Sequence, residues 1–240
     1  MLSAHPIPIL SDNYAWLLRC GETGATAIVD PAEEAPIIAA IEAAGGRLDE
    51  IWITHHHGDH IAAVEPVAAR YGARIIGAKA DAHRLPKLDL AVVEGDNVTL
   101  GAATALVVDT PGHTRGHIAY HFAADHVLLC GDTLFSLGCG RLLEGTAEEM
   151  FHSLAKFAKL SPETLVCCGH EYTESNAKFA LHVDPDNQAL VAFAAGVTQQ
   201  RLAGLSTIPS RLGDEMACNP FLRAPDVASL ARLREAKNKF

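Results

Sequence analysis

Thr54-His55-His56-His57-Gly58-Asp59-His60 is the stretch around which this chain of 240 residues is organised. The run before it, Asp49 to Thr54, is apolar and β-branched and predicts a strand ending at His55. Side chains alternate in an extended segment, so His55 and His57 point one way and His56 the other. Gly58 permits a sharp turn, and a helix is predicted beyond it over His60 to Tyr71. The turn thus presents a pair of imidazoles, then a carboxylate and a third imidazole from the next element. Neutral imidazole and carboxylate are ligands that suit zinc and its first-row neighbours. The strand–turn–helix frame separates this run from a terminal affinity tag or a histidine-rich surface loop.

Three further stretches share the layout, an apolar strand running into His or Asp beside Gly. Thr110-Pro111-Gly112-His113 follows Leu106-Val107-Val108, and Gly131-Asp132-Thr133 follows Val127 to Cys130. Gly169-His170-Glu171 follows Leu165 to Cys168. Strand ends that converge on one edge are where sites assemble in α/β folds. The inventory becomes His55, His57, Asp59, His60, His113, Asp132 and His170, five imidazoles and two carboxylates. A single catalytic zinc needs about three protein ligands and an open position, so this set suits two ions with one carboxylate shared. The other eight histidines have no ligand-like context, with His117 the nearest to an exception as a support behind a ligand.

Composition narrows the classes. Hydrophobic residues make up 49% and charged ones 20%, which is the balance of a globular domain with a substantial core. No apolar run is long enough to span a bilayer, and the first basic residue is Arg19, so neither a membrane span nor a secretory signal is expected. The net charge of −10 argues against a nucleic-acid binder. It is uneven: Arg232, Arg234, Lys237 and Lys239 against Glu235 give the last nine residues a local +3. Such a tail is either a solvated last helical turn or a grip for an anionic ligand. The six cysteines form no C-x-x-C pair and read as reduced, mostly buried thiols of a cytoplasmic protein. Cys139, flanked by Gly138 and Gly140, is the one expected to be exposed.

Along the chain, strands are expected at 14–18, 25–30, 73–76, 96–100, 104–108, 117–122, 126–130 and 165–168. A helix over 33–44 is closed by Gly45-Gly46, and Thr146-Ala147-Glu148-Glu149 is a capping-box signature opening a helix to about Leu160. From Thr173 the texture becomes helical, over 175–183, 188–202 and 227–237, punctuated by Asp184-Pro185, Ile208-Pro209 and Asn219-Pro220. Two domains are therefore expected, a mixed α/β body over 1–172 and a helical appendage over 173–240.

His55-x-His57-x-Asp59-His60, then His113, Asp132 and His170 in that order, resembles the metallo-β-lactamase superfamily. The resemblance narrows to glyoxalase II, the hydroxyacylglutathione hydrolases, on Asp12-Asn13-Tyr14, Thr110 to His117, Cys130 to Phe135 and Gly138 to Arg141. Gly169 to Thr173, Asn219-Pro220-Phe221-Leu222-Arg223 and Arg234 to Phe240 carry it to the end of the chain. It implies an α/β fold, the αββα sandwich, with a small C-terminal helical domain for substrate binding. It implies two divalent ions, zinc first, with iron or manganese admitted by the same ligands. His55, His57 and His113 would hold one, Asp59, His60 and His170 the other, with Asp132 bridging and Asp30 supporting from behind.

The implied reaction is hydrolysis of S-D-lactoylglutathione and related 2-hydroxyacyl thioesters, the second step of methylglyoxal detoxification. A metal-bridged hydroxide would attack, with Asp59 and Asp132 placing it. Arg141, Tyr172, Arg234 and Lys237 would bind glutathione, which gives the basic tail a role. Leu143 stands where many relatives carry an aromatic, and Asn238 where an aspartate is common. No nucleic-acid or membrane partner is implied, and a cytoplasmic monomer is expected. The alternatives are another superfamily thioesterase or a lactonase, and more remotely a nuclease.

Overall fold

Alternating apolar positions in the first ninety residues build one mixed sheet in a computed structural model that describes all 240 residues. The chain divides into two compact units, Met1–Asp109 with Gly116–Gly131, and Thr110–Arg115 with Asp132–Phe240.

In the first unit β1 (Leu2–Ile9), β2 (Asn13–Cys20) and β3 (Thr26–Val29) are antiparallel. Helix α1 (Glu34–Ala43) leads to β4 (Glu50–Trp52), parallel to β3. The short helix α2 (Gly58–Ile61) and then α3 (Val64–Tyr71) lead to β5 (Arg74–Ala78), and β5 to β6 (Leu90–Val92), both extending the parallel part. A second group, β7 (Asn97–Leu100), β8 (Ala103–Asp109), β9 (Ile118–Phe122) and β10 (Val127–Gly131), is an antiparallel meander.

Strand alternation sorts the core into two layers. Ile51 and Ile53 face α1 and α3, packing with Ile28, Ile37, Ile41, Val64 and Val67. Trp52 between them faces the meander, stacked on Phe122 at 5.5 Å and tilted against Tyr120 at 4.8 Å. The Tyr120 hydroxyl donates to the Ile53 carbonyl at 3.0 Å, tying the meander to the point where β4 gives way to the histidine turn.

Four features of this unit differ from the sequence expectation, the first being β6, a three-residue strand absent from the expected set. The strand ahead of the histidines ends at Trp52 rather than His55. The helix expected over 60–71 is two pieces, because a helix running through Ala62 would drive the Pro66 ring into the Ala62 carbonyl. Strand β1 lies outside the expected strands, since Pro6 and Pro8 interrupt its pattern; it is an edge strand, where proline is tolerated.

The second unit opens with a small hairpin, β11 (Leu134–Phe135) and β12 (Gly138–Cys139). Helix α4 (Ala147–Phe157) starts at the expected capping box: Glu149 N–H donates to Thr146 Oγ1 and Thr146 N–H to the Glu149 carboxylate. Strand β13 (Leu165–Cys168) pairs with β14 (Ser210–Arg211), and α5 (Thr173–Val183), α6 (Gln188–Leu202), α7 (Leu212–Cys218) and α8 (Val227–Lys239) complete the unit. Ala177 and Ala180 of α5 pack on Leu190 and Ala194 of α6, joined by Leu137 and Cys218. No helix is long and apolar enough to cross a membrane.

All six thiols are free and buried, and for Cys139 that corrects the expectation of exposure. It lies in β12 under the Arg234 guanidinium, and burial pushes its thiol up to about 11. Glycine flanks gave the appearance of an open loop, but here they serve close packing. A Cβ on Gly140 would meet the Asp132 carbonyl at 2.0 Å.

Candidate metal centre

In the first unit the site grows from Asp30, which ends β3 in the left-handed region at φ 54°. Its carboxylate accepts the Thr54 N–H at 2.8 Å, the Thr54 hydroxyl at 2.6 Å and the His60 Nδ1–H at 3.0 Å. The Thr54 hydroxyl has spent its hydrogen on Asp30, so it can only accept from His55 Nδ1, 3.0 Å away. One carboxylate thereby fixes the tautomer of two imidazoles and leaves both Nε2 atoms with lone pairs. His55 Nε2 lies 3.1 Å from His57 Nδ1, and His60 Nε2 lies 3.7 Å from the Asp59 carboxylate. Ligand atoms of Asp30, His55 and His60 fall within 4.8 Å of one another.

Around this cluster the supports are specific. Asn13 donates to the Asp59 carboxylate at 2.9 Å and to its carbonyl at 3.2 Å. His117 stacks on His55 at 4.7 Å. His56 turns away as alternation requires and meets Asp81 at 3.1 Å, which also accepts from Arg84.

The second unit brings His113, Asp132 and His170 together, all 6% exposed or less. His113 Nδ1–H donates to the Arg141 carbonyl at 2.8 Å, so its Nε2 carries the lone pair and lies 3.5 Å from Asp132 Oδ2. His170 Nε2 is 3.3 Å from the same oxygen. Tyr172 stacks on the His170 ring at 4.5 Å, with Phe135 edge-on to both.

Three cations of the predicted substrate grip also lie in this unit. Arg141 is exposed. Arg234 is buried, with its guanidinium donating to the Cys139 carbonyl at 2.8 Å and to Asn238 Oδ1 at 3.1 Å, over the Phe221 ring. Asn238 thus occupies the common aspartate position as an acceptor for Arg234. Lys237 donates to the Ser175 carbonyl at 2.9 Å and lies over the rings of Phe179 and Phe240. Burial, then the neighbouring charges of Arg234 and Arg141, pushes its amine down to about 8. A cation so depressed gains from an arriving carboxylate.

Inward-facing neutral imidazole nitrogens beside carboxylates are a donor set that fits divalent first-row cations. Thr54, Asn13, Glu215 and Asn219 have no role in the sequence expectation, yet Thr54 and Asn13 hold site residues and Glu215 and Asn219 hold the β11–β12 turn. Asn13 and Asn219 stood inside quoted motifs, but a lone amide carries no chemical signature of its own.

Residues 10–170 match the metallo-beta-lactamase superfamily, and residues 171–240 match the hydroxyacylglutathione hydrolase C-terminus. The chain is 57% identical to the hydroxyacylglutathione hydrolase of Acidiphilium cryptum, over 98% of this chain and 95% of that one. It is 54% identical to that of Rhodospirillum rubrum, over 93% and 87%. Among solved structures, ETHE1 from Myxococcus xanthus superposes with a TM-score of 0.73 at 22% identity, over 99% and 91% of the two chains. TTHA1623 in a di-iron-bound form gives 0.60 at 27% identity, over 69% and 91%.

Fold and donor set together define a metal-dependent hydrolase of the metallo-β-lactamase superfamily. Within that class, the identity along nearly the whole chain and the match of its last seventy residues are decisive. The chain belongs to the hydroxyacylglutathione hydrolase family.

Proposed function

We propose that the chain hydrolyses S-D-lactoylglutathione, and other 2-hydroxyacyl thioesters of glutathione, to glutathione and the free acid. The observation that carries this is 57% identity, over 98% of the chain, to a hydroxyacylglutathione hydrolase. Residues 1–172 would supply the metal ligands together with Arg141 and Tyr172 of the substrate grip, and residues 173–240 its other two members, Arg234 and Lys237.

His55, His57 and His113 would hold one divalent ion, and Asp59, His60 and His170 a second, with Asp132 shared. Zinc is the first choice. When bound, such a pair supplies an acidified water at neutral pH and polarises the substrate carbonyl. The protein's own part is orientation. Asp30 and the Arg141 carbonyl fix the protons of His55, His60 and His113 on the outward nitrogens. Asn13 holds the Asp59 carboxylate in one pose.

Arg141, Tyr172, Arg234 and Lys237 would receive the glutathione moiety, whose carboxylates suit the cations. The leaving thiolate, with a pKa of about 8.5, departs without a strong general acid. The Asp132 carboxylate has the imidazoles of His113 and His170 beside it.

Thiol release from S-D-lactoylglutathione tests the reading, with the same thioester lacking the γ-glutamyl group run alongside. Rapid turnover of the first and slow turnover of the second is expected. Equal rates would leave a thioesterase without glutathione selectivity, and no turnover with both metal sites filled would reject the reaction. Asp132→Ala should lose two-metal occupancy.

A further inference from the structure

The turn between β11 and β12 is held almost entirely by side chains from the C-terminal helices. Leu137, in the left-handed region at φ 57°, donates its N–H to Glu215 Oε2 at 2.8 Å. The Asn219 amide reaches the Phe135 carbonyl at 3.1 Å, the Gly138 carbonyl at 3.0 Å and the same Glu215 oxygen at 3.0 Å. Asn176 of α5 takes the Ser136 carbonyl at 3.0 Å. Glu215 and Asn219 are completely buried. Asn219 in turn is held by the N–H groups of Phe221 and Leu222, which accounts for the Asn219-Pro220-Phe221-Leu222 stretch as a brace.

What the turn carries matters more than the turn. Two residues past the end of β12, the Arg141 carbonyl accepts the His113 Nδ1–H, and Arg141 presents its side chain to solvent. A left-handed leucine is strained and persists only where its surroundings dictate it.

We infer that Glu215 and Asn219 are positioning residues, which set the β11–β12 turn and through it the Arg141 carbonyl that fixes the His113 tautomer. The inference rests on the proposed reading of His113 as a metal ligand. The C-terminal region then has two tasks, binding the substrate and keeping one imidazole of the metal centre ready to ligate. The chain of contacts is short: Glu215 and Asn219 to the turn, the turn to Arg141, Arg141 to His113. A displaced carbonyl would free the His113 ring to rotate or take the wrong tautomer, and supports of this kind are worth about 10–100-fold in metal affinity.

Zinc retention by the purified holoenzyme is measured by competition with a chromophoric chelator, beside Tm, for Asn219→Ala, Glu215→Ala, Glu215→Gln and His113→Ala. Asn219→Ala and Glu215→Ala should retain zinc about 10-fold or more weakly. Glu215→Gln keeps an oxygen for the Leu137 N–H and should match the parent protein. Alanine variants with a lower Tm but parental zinc retention would reduce the pair to scaffold and overturn the inference. Parental retention in His113→Ala would instead remove the metal-ligand reading beneath it. If neither alanine variant folds, nitrogen-15 NMR of the histidines in the parent protein decides: His113 must carry its proton on Nδ1, and an Nε2–H form refutes the proposal.

Discussion

Replacing Asp30 with Asn isolates a single function of the metal centre. Asn is among the few residues that tolerate the left-handed backbone at φ 54°, so the substitution leaves the chain path unstrained. The carboxylate accepts three hydrogen bonds, from the Thr54 N–H, the Thr54 hydroxyl and His60 Nδ1. An amide offers one oxygen and one NH₂, so an N–H must now face a donor on one side. Hydrogen bonds to a charged group contribute about 1.5–3 kcal/mol each. Part of that is recovered if the Thr54 hydroxyl turns and donates to His55 Nδ1, but the recovery moves the His55 proton to Nε2 and removes the ligating lone pair. Metal affinity should therefore fall by about 10–100-fold, equivalent to about 1.4–2.8 kcal/mol. Chelator competition on the zinc-loaded protein reads the affinity, and Tm of the metal-free protein reads the fold. Undiminished zinc retention in Asp30→Asn would refute the tautomer argument, whatever happens to Tm.

Lys237, with its amine near 8 in the free protein, should bind a substrate carboxylate as the ammonium form. Binding raises that pKa, so affinity is complete below about pH 8 and is lost as pH rises above it; KM should climb there, and Lys237→Met should flatten the profile. Thr146→Ala removes the hydroxyl that caps α4 and should cost about 1 kcal/mol in urea unfolding without altering metal content. A Cβ on Gly131, at φ 46°, would meet Thr54 Oγ1 at 2.4 Å and His117 Nε2 at 2.8 Å. Gly131→Ala should therefore weaken zinc binding as well as the fold, seen as zinc loss on dialysis at a temperature where the parent protein holds it.

The donors of the metal centre were legible because they sit in short runs with chemistry of their own. The alternation of His55, His56 and His57 was enough to turn His56 away and leave the other two as a pair; that His56 meets Asp81 is seen only in the structure. The helices at 188–202 and from 227 were plain from their Ala- and Leu-rich composition and the breakers between them. Strands of two residues, as in β11 and β12, leave no period to detect, so the hairpin ahead of Arg141 was invisible. The break between α2 and α3 was written in Pro66, but proline near a helix start and proline at a break look alike along the chain. Cys139 misled because its glycine neighbours signal a loop in one dimension and tight packing in three.

The prolines of β1 have a further effect, on what the sheet can recruit. Pro6 and Pro8 share the parity of Leu2 and Ala4, and lacking an N–H they occupy the positions of the strand that point away from β2. Of four outward positions two have no donor at all, and the Leu2 N–H is already engaged by Asp125 at 2.6 Å. A foreign strand arriving at this border would find carbonyls but almost nothing to donate to its own. The border therefore gives an arriving strand little to pair with, which discourages templated growth from that side.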